Sequence, residues 1–195
     1  MFDQIQFRRE FFATLTQIDA EIAAAVAAGR CPSCGGALHR GDYPRKPRGA
    51  LFAAEGEACV IRFSLCCGAE GCRKRATPPS LRFLGRRVYL GAVVIVASIL
   101  ARMLKGAAGI RQVTGVPART TRRWLAWWCG PFVTTEVFLT LCARLIGVDI
   151  GALPESILAR FAGSAVEKVV RMLAQLAPLT TGSVPDGSRF VRNAG

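Results

Sequence analysis

The stretches CPSCGG, residues 31–36, and LCCGAEGC, residues 65–72, place two close-set groups of cysteines about thirty residues apart. In Cys31-Pro-Ser-Cys34 the two-residue spacing lets both thiolates of a tight turn face one metal ion, and the glycine pair that follows lets the backbone fold beneath it. The second pair is Cys67 and Cys72, separated by Gly-Ala-Glu-Gly, with Cys66 as an alternate ligand. Four thiolates close the coordination shell of Zn2+. Such a site is structural, leaves no open position for a water nucleophile, and turns metal-binding free energy into folding free energy. His39, the only histidine, is an alternative to one thiolate, although a lone His among basic residues is more often a surface or nucleic-acid-contacting side chain. A redox dithiol would sit beside a strand and helix of a larger α/β unit, which the sequence does not offer. Disulfides would suit an exported chain, and Asp3, Arg8, Arg9 and Glu10 do not read as an export leader, so a reducing, cytoplasmic setting is expected. Cys59, Cys129 and Cys142 lie in apolar contexts and read as small core residues.

Outward from the cysteines the sequence divides into four parts and predicts a mainly α protein carrying a small β zinc ribbon. Residues 1–29 form an amphipathic helix, with Phe11, Leu15, Ile18, Ile22 and Val26 at helical spacing and Gly29 as its left-handed end. Residues 30–83, rich in Gly, Pro, Cys and charge, form the zinc ribbon, with short strands at 37–39 and 59–65. So small a region builds little apolar core and needs a cross-link or a metal to help it fold. Residues 84–129 form a helix over about 85–104 and then two shorter helices around a break at Gly115 to Pro117. Residues 130–195 hold a helix over about 134–146, a helix capped by Ser164 with Glu167, with apolar Val166, Val169, Val170, Leu173 and Leu176, and a mobile tail after Pro178. The uncharged run from Val88 to Ala101 is fourteen residues, short of the roughly twenty that span a bilayer, so no membrane partner is expected.

Charge is the second strong signal. Lys and Arg number 26 against 13 Asp and Glu, for a net charge of +13. From Gly71 through Thr135 there is no acidic residue and there are twelve basic ones. Like charges that crowd without counter-charges call for an anionic partner, and a polyanionic backbone supplies it.

The segment GIRQVTGVPARTTRRWLAWW, residues 109–128, has the proportions of a helix-turn-helix, completed to three helices by the long helix before it. Val113, Val116, Leu125, Trp128 and part of Trp124 are expected to face inward. Arg119, Arg122 and Arg123 then share an outward face with Thr120 at its edge, suited to a major groove, where guanidinium forks match guanine edges or phosphates. Arg73, Lys74 and Arg75 directly after the last ligand, and Arg86 and Arg87 in the connector, are further candidates for DNA phosphate contact.

The order CPSCGG, RFSLCCGAEGCRKRATPPSLRFLGRRVYL, helix, helix-turn-helix resembles the N-terminal DNA-binding region of bacterial insertion-sequence transposases over about residues 30–128. The resemblance implies zinc at Cys31, Cys34, Cys67 and Cys72, DNA contact by Arg119, Arg122 and Arg123, and a bacterial, nucleoid-associated protein. A transposase continues into a metal-dependent nuclease domain of well over a hundred residues. Here fewer than seventy follow Trp128, and their acids, Glu136, Asp149, Glu155, Glu167 and Asp186, assemble no catalytic cluster; Glu155 and Glu167 fit helix starts. The expected function is therefore zinc-dependent binding of double-stranded DNA by an accessory or regulatory factor without catalysis of its own, working beside a separate transposase or recombinase. Its apolar terminal helices would suit a homodimer. The rival readings are a truncated or partner-dependent transposase subunit and an RNA-binding or protein-bridging ribbon.

Overall fold

The computed structural model describes residues 9–45, 47–48, 60–84, 89–103 and 107–181, and shows a mainly helical protein with a small antiparallel sheet. Helix α1 spans Arg9–Ala28. Its buried face is Phe12, Leu15, Asp19, Ile22 and Val26, with Phe11 beside it. The spacing of three, then four residues keeps that stripe on one side of the helix. Ile18 is only half-buried, and the inner position expected for it belongs to Asp19. The left-handed residue after α1 is also displaced by one: it is Arg30, φ 62°, and Gly29 is not left-handed.

Strands β1 (Leu38–Arg40), β4 (Leu65–Cys67) and β5 (Arg75–Ala76) form a three-stranded antiparallel sheet in the order β1-β4-β5. Strands β2 (Tyr43–Pro44) and β3 (Ile61–Arg62) form a separate pair. The strand expected over 59–65 is thus two strands broken at Phe63 and Ser64, both buried, where Ser64 N–H donates to Asp42 Oδ1 at 3.0 Å. Across the larger sheet His39 lies opposite Cys66 and Cys66 opposite Arg75. Because opposed residues share a face, this row forms the outer side, and Leu65, Cys67 and Ala76 turn inward.

Helix α2 (Gly91–Met103) begins later than the 85–104 expected and is buried continuously from Gly91 to Leu100. Around it pack α3 (Ala107–Thr114), α4 (Ala118–Cys129), a 3-10 turn (Pro131–Thr134), α5 (Glu136–Cys142), α6 (Glu155–Leu158) and α7 (Ala165–Leu176). The helix expected over 134–146 is shorter because Pro131 starts a separate turn and Thr135 caps α5, accepting from Phe138 N–H at 3.2 Å. Helix α7 has its expected capping box: Ser164 Oγ accepts from Glu167 N–H, and Ser164 N–H donates to Glu167 Oε2. One apolar cluster runs through α1, the inner sheet face, α2, α4, α5 and α7.

Of the apolar run weighed as a membrane span, Gly91 to Ala101 lies in α2, which is thirteen residues long. Among the described residues α1 alone is a single helix long and apolar enough to cross a membrane, and its inner stripe lies in this core.

Candidate metal centre and basic helix

Two turns bring the sulfurs together. In the first, Cys31 N–H donates to Gly36 O and Gly35 N–H donates to Cys31 O, closing a knuckle directly after α1. Gly36 is needed for its lack of a Cβ, which would stand 3.1 Å from Cys67 Sγ and 3.0 Å from Ala69 Cβ. The second turn is the loop of the β4–β5 hairpin: Cys67 N–H donates to Lys74 O, while Cys72 N–H and Arg73 N–H donate to Ala69 O. Four intervening residues let this loop curl back, so that Cys67 and Cys72 address one point.

Cys31, Cys34, Cys67 and Cys72 hold their sulfurs within 4.8 Å of one another. Cys31 Sγ lies 3.8 Å from Cys72 Sγ, and Cys34 Sγ lies 3.4 Å from Cys67 Sγ. A tetrahedron with metal–sulfur bonds of about 2.3 Å has edges of about 3.8 Å, whereas a disulfide needs about 2.05 Å. All seven described cysteines are free thiols. Cys67 faces the cluster, and Cys66, on the outer side of β4, directs its thiol to Arg73 O and Cys67 O. His39 does not join the four sulfurs.

The ionisation of these thiols is uneven. Cys31 is lowered to about 7, first by the Ser33 N–H and then by Cys34, against the effect of burial. At Cys67 the Ala69 N–H lowers the pKa, but burial and hydrogen bonding with Cys34, Cys31 and Cys72 raise it, and the outcome is about 12. Four thiolates this close repel one another; a divalent cation at their centre removes that penalty, so the donor set fits a thiophilic metal ion.

The second basic element is α4. Residues Gly115, Val116 and Pro117 separate it from α3, with Gly115 at φ 66° and Thr114 Oγ1 accepting from Val116 N–H at 3.2 Å. Thr121, Trp124 and Trp128 are its buried face, and Trp128 Nε1–H donates to Ser98 Oγ of α2 at 3.1 Å. Arg119, Arg122 and Arg123 are exposed, Thr120 is half-buried, and among the described residues none of the three arginines pairs with a carboxylate.

The remaining expected residues fall in different settings. Val113 is 50 % exposed, because the inward pair of α3 is Ile110 and Thr114. Leu125 is half-buried. Cys129 and Cys142 are exposed rather than in the core. Cys129 ends α4, where its thiol donates to Ile150 O and Arg102 Nη2–H donates to its sulfur at 3.3 Å. Arg73 and Lys74 are exposed. Arg75 is tied down: its Nη1–H donates to Gly41 O and Ser64 Oγ, both at 3.0 Å, and its guanidinium lies 5.5 Å from the Tyr43 ring centroid. Asp149 caps a short turn by accepting from Gly151 N–H, and Glu155 starts α6. Arg86, Arg87, Cys59, Asp186 and the tail after Thr181 lie outside the described residues.

A buried charged cluster joins α1 to the segment after β5. Asp19 accepts from Ser80 Oγ at 2.5 Å, Leu81 N–H at 2.6 Å and Arg82 Nε at 2.8 Å, and both members of the ion pair are fully buried. The Arg82 guanidinium lies 4.9 Å from the Phe63 ring centroid and 5.2 Å from that of Phe83. Nearby Arg62 donates to Pro78 O; burial pulls its pKa below the ordinary value, with Asp19 opposing. The visible clue was an acid at position 19 in a 12, 15, 19, 22, 26 stripe. Comparison of the chain with protein families, with curated proteins and with solved structures finds no match.

Proposed function

We propose that the protein is a zinc-stabilised reader of double-stranded DNA, acting as an accessory or regulatory factor of a mobile element beside a separate transposase or recombinase. The observation that carries this reading is α4: three exposed arginines at positions 119, 122 and 123 on one face, no acid among the described residues paired with them, and aromatic anchors on the opposite face. The N-terminal turns of such a helix fit a major groove, and the turn at Gly115 to Pro117 gives α3 and α4 helix-turn-helix proportions. The four-cysteine centre suits Zn2+, which takes four thiolates in a closed tetrahedron and so serves folding, without a position for reacting water. Zinc there would hold the end of α1 to the β4–β5 hairpin. Arg73 and Lys74 would add phosphate contacts that strengthen binding without selecting sequence.

The test is direct. Purified protein should carry one equivalent of zinc by elemental analysis, and it should bind duplex DNA more tightly than structured RNA at matched salt, with an affinity that falls steeply as salt rises. Tighter binding to RNA would replace this reading with an RNA-binding ribbon. Magnesium-dependent nicking or joining of DNA by the purified chain would replace it with a transposase subunit.

A further inference from the structure

Among the described residues two non-glycine residues hold a left-handed backbone, and both are arginines: Arg30, φ 62°, and Arg73, φ 44°. A Cβ makes that conformation unfavourable, and strain kept at a surface position points to a need for the side chain. Their placement is not scattered. Arg30 immediately precedes Cys31, Arg73 immediately follows Cys72, and the sulfurs of those two cysteines are 3.8 Å apart. The two strained arginines therefore each adjoin a member of one close pair of sulfurs in the cluster. Both are exposed, as is Lys74, and among the described residues neither arginine pairs with a carboxylate, although Glu70 stands exposed in the same loop. At α1 a glycine is available one residue earlier, yet the left-handed position falls on Arg30.

We infer that Arg30 and Arg73, with Lys74, form a phosphate clamp at the Cys31–Cys72 edge of the metal centre, and that the clamp grips the backbone of a DNA duplex. The inference rests on the DNA-binding reading above and adds to it a residue, Arg30, that lies outside the acid-free stretch and outside the reader helix. Two guanidinium groups whose backbones are fixed by adjoining metal ligands lose little freedom on meeting phosphate, which favours charge-assisted, two-pronged hydrogen bonds. A competing use is internal: four thiolates around a divalent cation leave net negative charge, which the same arginines could offset.

Glycine substitution separates the two, because glycine adopts the left-handed conformation freely and removes only the side chain. The zinc-loaded full chain is compared with Arg30→Gly plus Arg73→Gly, with the pair changed to Asn, which also tolerates this conformation, and with the pair changed to Lys. Zinc content, chelator resistance and melting are measured beside duplex affinity across a salt series. The expected result is that the Gly and Asn pairs keep their zinc and melting temperature. Their plot of log affinity against log salt should become shallower by about 0.9 for each lost contact. The Lys pair should keep the original slope. An unchanged slope in the Gly and Asn pairs overturns the clamp while leaving the DNA-binding reading intact. Loss of zinc in parallel with loss of binding overturns it in favour of the internal role. Tighter binding of structured RNA than duplex by the parent chain overturns the assignment to DNA, and a parent chain that leaves duplex free at low salt removes the reading beneath it as well.

Discussion

Asp19 is a carboxylate with no access to water, and it is stable there because three donors converge on it from a single short segment, Ser80 to Arg82. Removing one member of a buried pair strands the other charge, so Asp19→Ala is expected to lower stability by about 3–5 kcal/mol, measured by urea unfolding of the zinc-loaded protein. Replacing both partners by apolar residues of similar size, Asp19→Leu with Arg82→Met, should recover most of that loss. At the metal centre, Cys67→Ser should lose zinc, while Cys66→Ser should keep it; elemental analysis of the two purified variants decides between them. The four clustered cysteines were legible in the sequence because each pair closes a local turn whose spacing and glycines are visible in a few residues. The choice between Cys66 and Cys67 was not, since it depends on which face of β4 turns inward, and that is fixed by pairing with Leu38 and Ala76 on other strands. Asp19 was hidden for a related reason: its partners lie 61 to 63 residues further along the chain.

Helix α4 divides its duties between two faces, so changes on one should spare the other. Arg122→Ala with Arg123→Ala is expected to weaken duplex binding and to flatten its salt dependence by about 0.9 for each phosphate contact removed. Both side chains are exposed, so the far-ultraviolet circular dichroism and the melting temperature should stay near those of the parent. On α7 the capping pair links stability to pH. The Ser164 backbone N–H, then its hydroxyl, hold Glu167 below its ordinary value of 4.5. A depressed folded-state pKa means that the contribution is complete above the ordinary value and fades as pH falls through the depressed one. Ser164→Ala, which keeps the backbone N–H, should cost about 1 kcal/mol at neutral pH, whereas Glu167→Gln should remove the acid dependence; paired denaturation curves read both. Helices with a regular apolar stripe or a side-chain cap were legible at this scale, as α1, α4 and α7 show. The start of α2 and the end of α5 were less so, because Tyr89 and Leu90 before α2 and Leu145 after α5 extend the apolar pattern beyond the helical backbone.

The inner sheet face and the helices share one apolar cluster, which contains Leu65 and Ala76 as well as Leu15 and Ile95. Stripping zinc with a chelator should therefore lower the melting temperature of the helical part along with that of the cysteine-rich part. Calorimetry showing the helical transition unmoved would count against such coupling. The amphipathic stripe of α1 pointed to packing against the parts that follow, but the extent of the sharing was not legible where composition changes abruptly near residues 30 and 84; the joining contacts come from residues far apart in the chain. At the centre stands α2, covered along ten successive residues and approached so closely by α7 that a Cβ on Gly91 would lie 2.6 Å from Leu173 Cδ2. Amide protons there can reach solvent only when neighbouring helices detach together. In deuterated buffer the segment from Ile95 to Leu100 should be the last to exchange, at a rate set by global opening of the molecule rather than by local fraying.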